Sequence, residues 1–246
     1  MGTTKLTRKE ILSDDFVHEG IIRLFELFRI NRAKIAVAAI VIVVLFIGLW
    51  AGSHYLDGRA LAASERLGTG IAFFQASVSA DAADDPYAKG GAPVFKSDEA
   101  KYQAAATEFT AAADAFGAGE TGKTARYFLG LTQFKLDKKD EAVKTLEKVA
   151  FGSGSHTVGF LAKKALASHY AESGNAKGAV DLLQGMLKDS KCDLPKEELS
   201  LQLSRVLVAD GKKDEAVKVL REASEQAETL GAFGGQLLAE IEKLQK

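Results

Sequence analysis

Cysteine is nearly absent from this chain, and with Cys192 alone no internal disulfide can form. Histidine is almost as scarce, and His18, His54, His156 and His169 lack the paired spacing of a zinc site. Only three prolines, Pro86, Pro93 and Pro195, fall within 246 residues, so long stretches are free of the strongest helix breaker. Charge of one sign is missing too. Thirty-two lysines and arginines against 33 acids leave a net charge of −1, which offers no overall attraction to nucleic acid or to an acidic partner. What fills the chain instead is alanine, lysine, glutamate and leucine, all strong helix formers, and a hydrophobic share of 47% that argues against disorder. An all-α protein of one or two domains is expected.

The apolar residues are not evenly spread. "IAVAAIVIVVLFIGLW" lies in an uncharged run from Ile35 to Gly52, extended by Ser53 to Leu56. At about 1.5 Å per residue that run covers a hydrocarbon layer of roughly 30 Å. A cleaved signal peptide has a shorter apolar region and a shorter leader, so the run is predicted to be an uncleaved single-pass transmembrane helix over 35–55. Arg23, Arg29, Arg32 and Lys34 precede it, whereas only Arg59 and Arg66 follow at similar distance. That asymmetry places residues 1–34 in the cytoplasm and residues 56–246 outside it, in the periplasm of a Gram-negative host. Upstream, Phe16, Ile21, Leu24, Phe25 and Phe28 recur at helical spacing, which predicts an amphipathic juxtamembrane helix that lies on the inner surface or packs on a cytoplasmic partner. Gly48 and Gly52 form a G-x-x-x-G pair of the kind that brings membrane helices together, although it sits at the membrane edge. "MGTTKL" misses the myristoylation pattern because Leu6 stands where serine or threonine is needed.

Beyond the apolar run the sequence repeats. Blocks starting at Gly130, Ala167 and Ser204 align without gaps at a period of 37. Each carries a small residue at its start, a turn residue (Asp137, Gly174, Gly211), then an alanine (Ala142, Ala179, Ala216) and a leucine four later (Leu146, Leu183, Leu220). Small residues let two helices approach and large ones fill the space between them. One period earlier, "YQAAATEF" places Tyr102, Ala105 and Phe109 in the same pattern. These residues resemble the tetratricopeptide repeat, a helix-turn-helix unit, although the period is 37 rather than 34 and the tryptophan marker is missing. The resemblance implies an α-solenoid of about four helix pairs. The first opening helix is expected in "YLDGRALAASERLGTGIAFFQASVSA", with Leu67, Ile71, Phe74 and Val78 on one face, continuing the membrane span. An exposed loop is predicted over 81–97, and "FGGQLLAEIEKLQK" is predicted to cap the last repeat.

"GAGETGKT", Gly117 to Thr124, fits the phosphate-loop pattern G-x-x-x-x-G-K-[ST] letter for letter. Such a loop cradles phosphate only where a strand runs into it, and here an alanine-rich helical stretch precedes it, so nucleotide binding through 117–124 is a remote alternative and an inter-helix turn the favoured reading. Asp210, which ends "VLVAD", falls inside a first helix of the repeat frame and makes no magnesium site. "GSGSHT" lacks the nucleophile elbow, and the repeated carboxylates Asp140, Glu141, Asp214 and Glu215 read as solvated helix surface. No catalytic residue, metal site or cofactor is predicted.

First helices of stacked pairs line a groove that takes an extended peptide or a partner's helix. The repeat frame puts Thr124, Tyr127, Leu131, Phe134 and Lys135 on that face in the second pair, Leu161, Lys164, Ser168, Ala171 and Glu172 in the third, and Glu198, Leu201, Arg205 and Val208 in the fourth. Of these, Tyr127, Leu131, Phe134, Lys164, Leu201, Arg205 and Val208 are the predicted protein-binding residues, and their character favours apolar segments over acidic tails; the apolar ones equally suit contacts within the core. A single anchor running directly from "NRAKIAVAAIVIVVLFIGLW" into "YQAAATEF" and "DEAV" repeats resembles the YfgM-type family of bacterial inner-membrane proteins, ancillary subunits of the SecYEG translocon. That resemblance implies a non-catalytic, chaperone-like adapter whose partners are emerging secreted polypeptides, periplasmic chaperones and SecYEG. The N-terminal "MGTTKLTRKEILSDDFVHEG" is longer than in the shortest members. A self-assembling envelope scaffold that uses Gly48, Gly52 and the solenoid edge is the competing expectation.

Overall fold

The computed structural model describes residues 32–88, 90–115, 119–152, 157–226 and 234–245. The amphipathic helix predicted upstream of Arg32, and most of the predicted cytoplasmic tail, lie outside the described residues. Two units are distinguished, Met1–Gly58 and Arg59–Lys246.

Helix α1 (Arg32–Phe74) takes in the apolar run without interruption. Its residues Ile40 to Leu49 are exposed. At 1.5 Å per residue its 43 residues extend roughly 65 Å, about twice a hydrocarbon layer, so it is long and apolar enough to cross a membrane.

In the second unit the helices come in pairs, as the 37-residue period demands. After the end of α1 follow α2 (Asp98–Ala115), α3 (Glu120–Lys135) with α4 (Lys139–Ala150), α5 (Thr157–Glu172) with α6 (Ala176–Lys188), and α7 (Lys196–Ala209) with α8 (Lys213–Gln226). A final α9 (Gly234–Gln245) covers the last pair. The all-α solenoid expected from the sequence is thus present.

The turns inside the pairs share one mechanism. Asp137, Gly174 and Gly211 have φ of 59°, 82° and 78°, the left-handed conformation that ends a helix. The next residue then donates back across the turn in each case: Lys138 N to Gln133 O at 2.9 Å, and Asn175 N to Tyr170 O and Lys212 N to Leu207 O, both at 2.8 Å. Two of the three positions carry glycine, for which this conformation costs little. Below the turns, Ala142, Ala179 and Ala216, with Leu146, Leu183 and Leu220, are wholly buried.

The first pair follows the same rule across a longer connection. Gly70 faces Phe109, as Gly130 faces Leu146; a Cβ on either glycine would lie 2.6 Å from the partner side chain. Gly130 and Leu146 stand 16 residues apart, Gly70 and Phe109 stand 39, and the excess is the insertion between α1 and α2. Arg59 donates from Nη2 to Asp114 O and Arg66 forms an ion pair with Glu108 at 3.0 Å, which aligns the end of α1 along α2. The last stretch of α1 is therefore the first pair's opening helix.

The insertion is more ordered than the exposed loop expected over 81–97. A short parallel bridge joins β1 (Ser77–Val78) to β2 (Val94–Phe95). Pro93 and Phe95 are buried, and Phe73 packs edge-on against Phe95 with ring centroids 5.2 Å apart. Asp81, Asp84 and Asp85 remain exposed, with Lys96 paired to Asp84.

Candidate protein-binding groove

Opening helices α3, α5 and α7 sit side by side, and two adjoining concavities of about 480 Å³ each run across them. Lys164, Ser168 and Glu172 belong to both, so the two form one groove. Its position follows from the period. In each opening helix the buried small residue (Gly130, Ala167, Ser204) is flanked three before and one and four after by the residues that face the groove. These are Tyr127, Leu131 and Phe134 on α3, Lys164, Ser168 and Ala171 on α5, and Leu201 and Arg205 on α7, where the third position, Val208, falls outside it.

The first concavity is aromatic and apolar. Tyr127, Leu131, Phe134 and Leu161 are half-buried there. His169 lies against Phe134 with ring centroids 4.7 Å apart. Burial raises the Tyr127 phenol above its ordinary range, because a phenolate would lose water. Lys135, Lys139 and Lys164 line the concavity as well, and Glu172 is the one carboxylate among its lining residues.

The second concavity is polar. Lys164 pairs with Glu198, and Gln202 Nε2 donates to Ser168 Oγ at 2.7 Å, so two side-chain bridges tie α5 to α7 along the floor. Arg205 is exposed at the edge, and Gln236 from α9 closes the far end.

All but one of the seven predicted binding residues line these concavities. Leu201 does so from a buried position, only 4% exposed, where it joins the cluster that includes Leu207 and Leu237. Val208 is 38% exposed but lines neither concavity. His169, Gln202, Lys139 and Gln236 escaped the sequence reading. Lys139 and Gln236 lie outside the opening helices; His169 and Gln202 lie on those helices at positions beside the three repeated ones.

Outside the groove, the glycine motif is part of helical architecture. Gly119 is the N-cap of α3, Glu120 to Thr124 form its first turn, and α2 rather than a strand precedes it. Gly122 is buried against the pair, and Lys123 Nζ lies 3.1 Å from Glu120 Oε1, one turn away. Gly117 and Ala118 lie outside the described residues. Asp210 ends α7, where its contact with Lys212 at 2.8 Å holds that ammonium's pKa above the ordinary lysine value. Among the described residues, no group of three or more histidine, cysteine or carboxylate side chains is placed to hold a metal ion.

Helix pairs stacked at a fixed period, with a groove along their opening helices, define an α-solenoid of helical repeats. Residues 124–150, which are most of α3 and all of α4, match the family model described as tetratricopeptide repeat. Among curated proteins no sequence matches. Two solved structures are similar, both of nearly identical TPR-like repeats of a protein from Podosopora anserina described as a putative kinesin light chain, one of them a form with a single substitution. Each is 18% identical over 59% of this chain, with a TM-score of 0.48, and 77% and 78% of the two chains are covered. Repeats of this type are, as a class, modules that bind other proteins.

Proposed function

We propose that this chain is a membrane-anchored, non-catalytic adapter whose groove holds apolar segments of partner proteins. The observation that carries this reading is the half-buried floor of Tyr127, Leu131 and Phe134, an apolar surface next to a polar one on a scaffold of packed helices. Groove contacts of this kind are weak singly, and tethering raises the local concentration of whatever they meet. The span over 35–55, with its cationic cytoplasmic flank, supports a single-pass orientation that puts residues 56–246 in the periplasm of a bacterial inner membrane. Resemblance to the YfgM-type family points to emerging secreted polypeptides, a periplasmic chaperone and SecYEG as the partners.

Photocrosslinking from positions 127 and 205 in intact membranes tests both site and partners. Capture of translocating polypeptides, a chaperone or SecYEG is the expected result. Crosslinks that form equally well from position 144, on the exposed back of α4, would remove the groove from the proposal, and protease digestion of the repeats from the cytoplasmic side would reverse the orientation. The scaffold alternative would use the G-x-x-x-G spacing of Gly48 and Gly52. A monomer over a wide concentration range in detergent sedimentation eliminates it.

A further inference from the structure

One face of α7 lines the groove through Glu198, Leu201 and Arg205; the opposite face, with Lys196, Glu197, Ser200 and Leu203, lines a separate cavity of about 420 Å³ bounded also by α6 and α8. The repeat explains its origin. Thirty-seven residues earlier, the equivalent positions on α5 and α6 carry large side chains. Phe160 and Met186 are each 2% exposed there, and Lys163 Nζ lies 4.9 Å from the centre of the Phe160 ring. One period on, these three positions hold Glu197, Ala223 and Ser200, and Val219 stands where Leu182 was. Leu187 in place of Ala150 returns only part of the lost volume. The fourth pair thus leaves open what the third pair fills from its own sequence.

Ser200 lines this cavity from a position only 4% exposed, and its hydroxyl makes no hydrogen bond among the described residues. Ser168 and Ser204, on the same kind of helix, turn back onto carbonyls of their own chain; Ser200 does not. Nor is its oxygen sealed from solvent, as the unmatched oxygens of Gln133 and Gln202 are. A polar group so nearly buried gains from any partner that enters. The remaining lining sets the entrant's chemistry. Leu187, Leu203, Val219 and Ala223 supply apolar walls. Lys188 and Lys196 are balanced by Glu197 and Glu222, so the site favours neither sign of charge. Neither lysine is in an ion pair among the described residues, and an ammonium beside a ring is the arrangement that Lys163 and Phe160 make one period earlier. We propose that the cavity between α6, α7 and α8 is a small-molecule site for an uncharged aromatic ring that carries one hydrogen-bonding group, with the ring between the apolar walls and its polar atom on Ser200 Oγ. Its volume falls in the range of small-ligand pockets, and it shares no residue with the groove.

The probe is 4-methylphenol, uncharged at about pH 7, titrated into the full-length chain in detergent micelles while the methyl NMR signals of Leu187 and Val219 are followed. Variants are compared in the same detergent, so partition of the probe into the micelle cancels. Saturable shifts at both residues are expected. Ala223→Met, which restores the side chain of the third pair, should weaken binding about ten-fold or more and raise the thermal midpoint of the free protein, because it fills the space. Ser200→Ala should weaken 4-methylphenol about five-fold and leave toluene unchanged, a split that altered packing does not produce. Leu131→Arg, in the groove, should change nothing, so the cavity and the groove stand or fall separately. Absence of saturable shifts, unaltered binding by Ala223→Met, or equal effects of Ser200→Ala on 4-methylphenol and toluene overturns the inference. Tighter binding of benzylammonium or benzoate overturns it by showing selection for charge, and tighter binding of a tyrosine-containing tripeptide does so by showing a seat for a partner's side chain. If Ala223→Met does not fold, the comparison of the two probes on Ser200→Ala decides alone.

Discussion

Gly130 stands so close to Leu146 that a single added carbon would lie 2.6 Å from its Cγ, and Leu146 is fully buried with no room to withdraw. Gly185, inside α6, has nothing within 4 Å of the same addition. The two glycines therefore respond oppositely to one chemical change. Gly130→Ala should lower stability by about 1–2 kcal/mol, since overpacking outweighs the gain in helix propensity, whereas Gly185→Ala should raise it by about 0.5–1 kcal/mol. Urea unfolding of the two variants in the same detergent measures both signs. Tyr127 supplies a pH test. Its phenol is raised by burial, so above its ordinary value of about 10 the folded protein holds a proton that the unfolded chain has lost. Stability contributed by that neutral phenol is complete below about pH 10 and is lost as pH climbs through the raised value. Tyr127→Phe, which has no proton to lose, should unfold less steeply above about pH 10 when thermal midpoints are compared across that range.

At the level of the element, α9 is a lid on an otherwise open apolar end. Leu237 is fully buried and Leu244 nearly so, both in the cluster with Leu220 and Ala223. Leu237→Ala should cost about 2–4 kcal/mol, read from the urea midpoint, and should loosen the wall that Gln236 gives to the groove. Elements that repeat were readable in the amino-acid order, because packing demands the same side chain at each return of the period. Ala142, Ala179 and Ala216 needed no structure to be recognised as core, nor did the turns at Asp137, Gly174 and Gly211. What the period does not govern stayed hidden. The bridge between Val78 and Phe95 joins two-residue strands too short to leave any alternation, and Pro93 looked like a loop residue although it is buried. Leu201 kept its position in the frame and lines the groove, yet it is buried, in the cluster that also takes in Leu237 of α9. The Gln202 bridge to Ser168 depends on the contact between α5 and α7, a relation between repeats rather than within one.

Across the whole repeat region the buried side chains fall into separate clusters. One is small and joins Ala112, Ala113 and Ala125; a second joins Leu146, Val149, Ala150, Ala162 and Leu166; the largest runs from Phe160 to Leu244. Stacked units of this kind gain stability chiefly from their neighbours, so damage stays local. Leu220→Ala should accelerate amide hydrogen exchange in α7, α8 and α9 far more than in α2 and α3, and a uniform increase along the chain would show one cooperative body instead. The first pair has its own form of this dependence. Its opening helix is the tail of α1, and Ala63, Leu67 and Gly70 on that tail complete a core whose other half, Phe109 and Ala112, is on α2. A protease that separates the repeats from the apolar run of α1 would therefore release an intact first pair only by cutting ahead of Arg59. A scissile bond just after Ala63 would take away that buried side chain and the hold of Arg59 on Asp114, and the liberated fragment would begin its life already unravelling at the end nearest the wound.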